Sequence, residues 1–249
     1  QSAVSMLHRQ IEALKLAFVD GRRYIADPRA MNVQVADLLS PAYAEERAGL
    51  IQPDAVLMPE PGRPLRGGTV YLCTADAEGN MVSYIQSNYN GFGSGVVIPE
   101  TGIALQNRGS CFTLEAGHVN RLAPGKRPYH TIIPGFLTQG GRPIGPFGVM
   151  GGFMQPQGHV QLLTNVLDRG LNPQAALDAP RWQWLDGRTV EMEHAMPATW
   201  VEALQRLGHD VRWAMGSGGF GRGELIWRKP DGVLVGATEP RTDGQVAAF

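Results

Sequence analysis

The chain has 249 residues, of which 18% are charged and 43% hydrophobic, and its net charge is −1. That balance provides no electrostatic footprint for nucleic acid or an anionic membrane surface, and no uninterrupted apolar run approaches the ~18 residues of a membrane span. Two cysteines, Cys73 and Cys111, are too few for a disulfide framework and stand in no CxxC spacing. Composition therefore indicates a compact mixed α/β core and leaves the compartment open.

Val4, Leu7, Ile11, Leu14 and Phe18 recur at steps of three and four, which predicts a helix with Gly21 as its stop. The chain opens at Gln1 inside that helix rather than on Met or a targeting segment. Gln52 to Gly68 holds Pro53, Pro59, Pro61 and Pro64 with Gly62, Gly67 and Gly68, so it reads as an exposed linker. Next come two β-rich runs, Thr69–Ala75 and Met81–Gln86, joined through Ala77-Glu78-Gly79-Asn80, with Thr69 opening a central strand. Ile132–Leu137 and Phe147–Met150 read as further strands.

The stretch from Pro156 to Arg169 predicts a helix with Val160, Leu163, Val166 and Leu167 on one face and Gly170 as its stop. Asn172-Pro173 caps and opens another, and Ala198–Leu207 a third. Leu225–Arg228 and Val233–Gly236 flank Pro230-Asp231-Gly232 as a closing hairpin. Strands and helices in separate runs give an α+β class rather than a doubly wound sheet.

Gly67-Gly68-Thr69 is, on local grounds, a flexible turn entering a strand. It has a second reading. A threonine freed as a new amino terminus carries a nucleophile and its own base, because an α-amine with a reference pKa of about 7.7 to 8.0 accepts the hydroxyl proton near neutral pH. The blocks that follow support the second reading: Asp76-Ala77-Glu78-Gly79-Asn80, Ser87-Asn88-Tyr89, Gly91-Phe92-Gly93-Ser94-Gly95 and Leu105-Gln106-Asn107. Pro124-Gly125-Lys126-Arg127-Pro128, Gly151-Gly152, Gly170 to Arg181 and Glu239-Pro240-Arg241 continue the series. In this order they resemble the small subunit of the γ-glutamyltranspeptidase family, from Thr69 to Phe249.

Residues 1–68 resemble the end of that family's large subunit, so the chain reads as a partial one whose missing partner is the rest of its own large subunit. The resemblance implies the four-layer αββα sandwich of amino-terminal-nucleophile hydrolases. It also implies cleavage of Gly68–Thr69 by the Thr69 hydroxyl, an acyl-Thr69 intermediate, and transfer to water or an amine, with no cofactor. Gly151 and Gly152 match the family's oxyanion-hole pair. Ser87 matches a hydroxyl bonded to the nucleophile, and Tyr89 falls where well-known members carry a substrate-contacting asparagine. Asn107 lies in a substrate-contacting segment, and Lys126 and Arg127 occupy the place of a serine pair that holds the substrate carboxylate. Their plainer readings are a strand hydroxyl for Ser87, solvated turn charges for Lys126 and Arg127, and a buried histidine at nearby His130.

The chain departs from the family at Arg108 and Cys111, which stand where glutathione-cleaving members have glutamine and aspartate for the substrate α-amino group. A cation and a thiol do not replace a carboxylate there. The segment from Phe112 to Pro124 is also shorter than in typical bacterial members. Both differences fit a cephalosporin-acylase-like branch in which Arg108 meets an acidic acyl group, and the plainer reading of Arg108 is a surface or linker-facing arginine.

Gly216 to Gly221 satisfies GxGxxG but leads into a strand rather than a helix, so no dinucleotide site is expected. The six histidines show no HExxH spacing, so no metal is expected either. No GxSxG elbow surrounds Ser94 or Ser217, and the five tryptophans read as packing residues. Three readings stand: a γ-glutamyl transferase or hydrolase (glutathione hydrolase-like), an acylase for acidic acyl groups, and an inactive fragment of such an enzyme.

Overall fold

The computed structural model describes residues 2–52, 58 and 68–249. The linker expected over Gln52 to Gly68 lies outside them except for Gln52, Met58 and Gly68. In chain order the first half forms α1 (Ala3–Tyr24), α2 (Val35–Leu38), α3 (Pro41–Ala48), β1 (Gly68–Ala75), β2 (Met81–Tyr89) and a 3-10 turn (Arg108–Cys111). Then follow β3 (Gly135–Gln139), β4 (Arg142–Met150), α4 (Met154–Leu167), α5 (Pro173–Asp178), β5 (Trp182–Asp186) and β6 (Thr189–Met192). The chain closes with α6 (Ala198–Arg206), β7 (Asp210–Trp213), β8 (Arg222–Arg228) and β9 (Leu234–Ala237). One compact unit is built from Gln1–Arg63, Asn107–His130 and Trp182–Ala214, the other from Pro64–Gln106, Thr131–Arg181 and Met215–Phe249. The boundary expected at Gly68–Thr69 concerns one bond rather than a compact unit.

In the first unit α1 buries Leu7, Ile11, Leu14 and Phe18, the face its periodicity predicts. It does not stop at Gly21. Arg22 and Arg23 favour its negative carboxyl end, and the Ile25 N–H closes the helix on the Gly21 carbonyl at 3.0 Å. Phe18 packs on Trp184 of β5, ring centroids 5.6 Å apart. β5 pairs antiparallel with β6, and β6 pairs parallel with β7, with α6 as the crossover. The sequence reading names no strand here, although Trp182 and Trp184 alternate into the core and Val190 and Met192 do the same on β6.

The second unit is layered. β1 and β2 form a two-stranded antiparallel sheet, so among the described residues β1 pairs on one side only and is not the central strand expected. Facing it is the antiparallel sheet β3-β4-β8-β9. Its Gly148 lies under the Tyr71 ring so closely that an added Cβ would stand 2.5 Å from it. Behind this sheet α4 and α5 close a core of Phe147, Val149, Leu162, Leu177, Leu225 and Trp227. The order is sheet, sheet, helices: three layers of the αββα sandwich. The outer face of β1–β2 presents Val70, Leu72, Val82 and Tyr84 to solvent.

α4 is turned from the expected face. It buries Met154, Gln155, Gln157, Gly158, Gln161, Leu162 and Asn165, while Leu163 and Val166 reach the core only in part and Leu167 is exposed. Gln157 and Gln161 offset the burial of their amides by donating to the carbonyls of Phe153 and Gln157, at 3.3 and 3.1 Å, whereas Gln155 Nε2 is buried without a partner among the described residues.

Two blocks singled out in the sequence, around Arg181 and Glu239, form one buried clamp. Glu239 Oε2 accepts from Arg181 Nη2 and from the Gly223 N–H, both at 2.7 Å, and its Oε1 accepts from Arg241 Nη1 at 2.6 Å. Arg181 also donates to Phe220 O at 2.9 Å, and Arg241 donates to Leu177 O and Ala179 O at 2.8 and 2.9 Å. The clamp ties the end of α5, the start of β8 and the segment after β9. Glu239→Ala leaves two guanidinium groups without their counter-charge and should destabilise the protein by about 3–5 kcal/mol in urea unfolding. A loss below about 1 kcal/mol would show that the clamp contributes little.

Candidate active site

The register of β1 on β2 sets out the site. Gly68 pairs with Tyr89 and Thr69 with Ser87, so the ladder slips by one residue at the Gly68–Thr69 bond and Asn88 has no opposite number. Tyr89 takes up the slip at φ 77°, an uncommon conformation for a bulky residue, and is buried. Its N–H donates to Ser87 Oγ at 2.8 Å. Thr69, buried at 7% exposure, donates its hydroxyl to the same Ser87 Oγ at 3.0 Å. The branched Cβ limits χ1, and the hydrogen bond selects one orientation of the oxygen. Tyr71, two residues along the same face, lies over Gly148 of β4, three residues before Gly151.

Gly151 (φ 139°) and Gly152 (φ 60°) make the turn from β4 into α4. Their carbonyls accept the Met154 and Gln155 N–H groups, each at 3.1 Å, while their own N–H groups donate to no described residue. A Cβ on Gly151 would come within 3.1 Å of Gly221 Cα. Two adjacent amides at a helix start, with no side chains of their own, suit a developing negative charge.

Thr69, Ser87, Tyr89, Gly151 and Gly152 all belong to one unit; Asn107, Arg108, Lys126 and Arg127 belong to the other. Asn107 precedes the 3-10 turn, and its carbonyl accepts from the Ser110 N–H and hydroxyl at 3.2 and 3.0 Å. Arg108 is not a surface arginine. It is 4% exposed; partial desolvation of the His130 ring and then the Arg108 charge lower the His130 pKa, although His130 as a whole residue lies at the surface. The Lys126 ammonium donates to the carbonyls of Val119 and Arg121. The Arg127 N–H donates to Asp27 at 3.0 Å, and Arg29 joins Asp27 to the Gly125 carbonyl. The Arg29 guanidinium and these N–H groups hold the Asp27 carboxyl far below the usual carboxylate range.

Sequence reasoning missed a buried polar cluster on α1. His8, Glu12 and Lys15 sit at helical spacing on the buried side and meet His209, which follows α6. Lys15 donates to Glu12 at 2.7 Å, His8 Nε2 to the Gln52 carbonyl at 2.8 Å, and His8 Nδ1 lies 2.7 Å from His209 Nε2. Ligand atoms of His8, Glu12 and His209 lie within 4.8 Å of one another, a grouping able to hold a metal ion. As arranged it is two hydrogen-bonded pairs, Lys15–Glu12 and His8–His209, with His209 Nε2 3.9 Å from Glu12 Oε1 and with Glu12 Oε2 and His209 Nδ1 buried and without a partner among the described residues. Two nitrogens on one tetrahedral zinc stand about 3.3 Å apart, and Lys15 already supplies the cation. Three chemistry-bearing residues at i, i+4 and i+7 beside an apolar stripe were the available signal.

The family model for gamma-glutamyltranspeptidase matches residues 1–249. The chain belongs to that family. It is 39% identical to the oxamate amidohydrolase proenzyme of Klebsiella pneumoniae, covering 98% of this chain and 47% of that protein. A glutathione hydrolase-like proenzyme of Bacillus subtilis is 38% identical over 95% of this chain and 46% of its own length. Among solved structures, a cephalosporin acylase from Bacillus halodurans aligns at a TM-score of 0.93 with 61% identity, over all of this chain and 46% of that one. This gamma-glutamyltranspeptidase-family chain thus spans about half the length of the curated relatives it matches.

Burial pushes His209 down to about 3 from 6.5, with Lys15 and His8 adding to the effect. A folded-state pKa lowered in this way gives stability that is present above pH 6.5 and lost as pH falls towards 3, because only the unfolded chain takes up the proton. Relative to His209→Gln, the wild type should lose about 1.4 kcal/mol per pH unit in urea unfolding between pH 6 and 4. Parallel curves would contradict the assignment.

Proposed function

We propose that the complete protein is an autoprocessed amide hydrolase or acyl transferase with Thr69 as nucleophile. The observation that carries this reading is the buried Thr69 hydroxyl, oriented by Ser87 beside a slip in the ladder at the Gly68–Thr69 bond. In the precursor Thr69 Oγ1 attacks the Gly68 carbonyl carbon, the C–N bond breaks, and the hydroxyl proton passes to the departing Thr69 nitrogen. Water then hydrolyses the Gly68 ester and leaves Thr69 with a free amine. That amine takes the hydroxyl proton when Thr69 attacks a substrate amide and returns it to the leaving amine. Gly151 and Gly152 receive the oxyanion at each tetrahedral stage. Water or an acceptor amine releases the acyl group.

Oxamate and glutathione, named for two relatives, are both amides whose acyl part bears a carboxylate. We infer the same class here, with γ-glutamyl and dicarboxylic acyl amides as the alternatives. The replacements at Arg108 and Cys111 and the likeness to a cephalosporin acylase support the dicarboxylic member. The fragment of large subunit missing from this chain is the expected partner.

In the complete protein, Thr69→Ala should leave one uncut chain and no amidase activity, whereas Thr69→Ser should be cut and retain part of it. Gly151→Ala keeps its N–H but sets a Cβ 3.1 Å from Gly221 Cα at a φ of 139°, so it should displace the donor and lower kcat by up to the ~10²–10³-fold that losing one donor costs. Intact-mass measurement and a γ-glutamyl anilide assayed beside a glutaryl anilide read these outcomes. A cut, active Thr69→Ala protein would end the proposal, and a wild type that stays uncut would favour the inactive fragment. Arg108→Ala should lower the preference for the glutaryl substrate, and unchanged preference would remove Arg108 from acyl selection.

A further inference from the structure

β3 begins at Gly135, opposite Phe147, so among the described residues the next N–H on that edge of β4, at Val149, has no strand to bond. A side chain from the following helix takes the place of the missing strand: His159 Nε2 accepts the Val149 N–H at 3.0 Å. The ring is held edge-on to Phe147, centroids 5.0 Å apart at 60°. α4 can come this close because the neighbouring Gly158 rests on the Val149 methyl groups, where an added Cβ would stand 2.5 Å away. The hydrogen bond therefore closes a loop from Val149 through Met150, Gly151 and Gly152 into α4 and back. The Gly151-Gly152 turn lies inside it.

We propose that His159 is a positioning residue for the reaction, setting the direction of the Gly151 and Gly152 N–H groups by holding Val149 to α4. This rests on the assignment of those glycines as the oxyanion donors. Nε2 must be bare to accept, so the proton sits on Nδ1. Burial, with no charged neighbour contributing, pushes the ring down to about 4 and keeps it neutral where an amine-activated threonine works. Gln155, one helical turn earlier, is fully buried and its Oε1 accepts the Ile133 N–H at 3.4 Å. The first two turns of α4 thus hold two backbone N–H groups of this unit through side-chain acceptors.

The test compares His159→Gln, whose amide oxygen can still accept, with His159→Leu, which cannot, in the complete processed protein. Assays with the two anilides should give a kcat at least 30-fold lower for His159→Leu, with KM changed less than about threefold, because misplacement near 1 Å costs on the order of 10². His159→Gln should recover tenfold or more of that loss. A role in packing alone would make leucine the milder change, and that order, or two fully active variants, would overturn the proposal. Should His159→Leu fail to fold, proton–nitrogen NMR of the wild-type imidazole decides: an Nδ1–H tautomer supports the role and an Nε2–H tautomer ends it. Silent His159 variants beside an impaired Gly151→Ala protein would remove His159 alone. An active Thr69→Ala protein would instead remove the reading beneath it.

Discussion

One hydrogen bond between two alcohols, Thr69 to Ser87, is where strand pairing meets the proposed chemistry. It exists only because β1 and β2 are antiparallel in a register that puts these residues opposite each other on the inward face. A slip of one residue anywhere along the pair would send the threonine to the face where Val70 and Leu72 now meet solvent. The hairpin at Asp76 and Asn80 guards against that slip, with Asn80 donating to the Asp76 carboxylate from both its backbone and its side chain at 2.8 Å. The one irregularity falls at the bond preceding Thr69. A ladder regular everywhere else concentrates its distortion where an acyl shift would need it.

The rest of the second unit keeps β4 in place opposite that threonine. Tyr71 on Gly148 brings the sheets together, and the tyrosine hydroxyl is satisfied by Ser83 at 2.8 Å, so burial raises its pKa without leaving a polar atom stranded. Behind β4, the Arg181–Glu239–Arg241 clamp fixes the start of β8, against which the last residues of β4 pair. Gly221, which approaches Gly151, is carried by the same segment, whose carbonyls Arg181 holds. Buried charge is used here for geometry more than for net stability.

Much of this was legible in the sequence, for unequal reasons. The β1–β2 hairpin, α1, α6 and the closing hairpin follow from period and turn residues, and the glycine pair followed from the resemblance. The orientation of α4 did not. Its buried face is made of glutamines and a glycine, and hydrophobic period points to leucines that lie at the edge of the core. β5, β6 and β7 were missed because four- and five-residue strands give a periodic signal too short to separate from packing residues. The hydrogen bonds of His159 and His209 were invisible in the sequence because their partners, Val149 and His8, are brought to them by tertiary folding. The two carbonyls that the Lys126 ammonium meets were likewise out of reach of the sequence, because the turn that brings them to it is set by folding.

The central claim is that Thr69 becomes both chain terminus and acyl carrier, and it is tested most directly by tryptic mapping of the complete protein quenched in acid during turnover. No lysine or arginine lies between Thr69 and Arg108, and Arg66 precedes Gly67, so the two states give distinct peptides. The account predicts a peptide running from Thr69 to Arg108 that carries the mass of the substrate's acyl group on its first residue. A peptide running from Gly67 to Arg108, or an acyl group attached elsewhere, would contradict it.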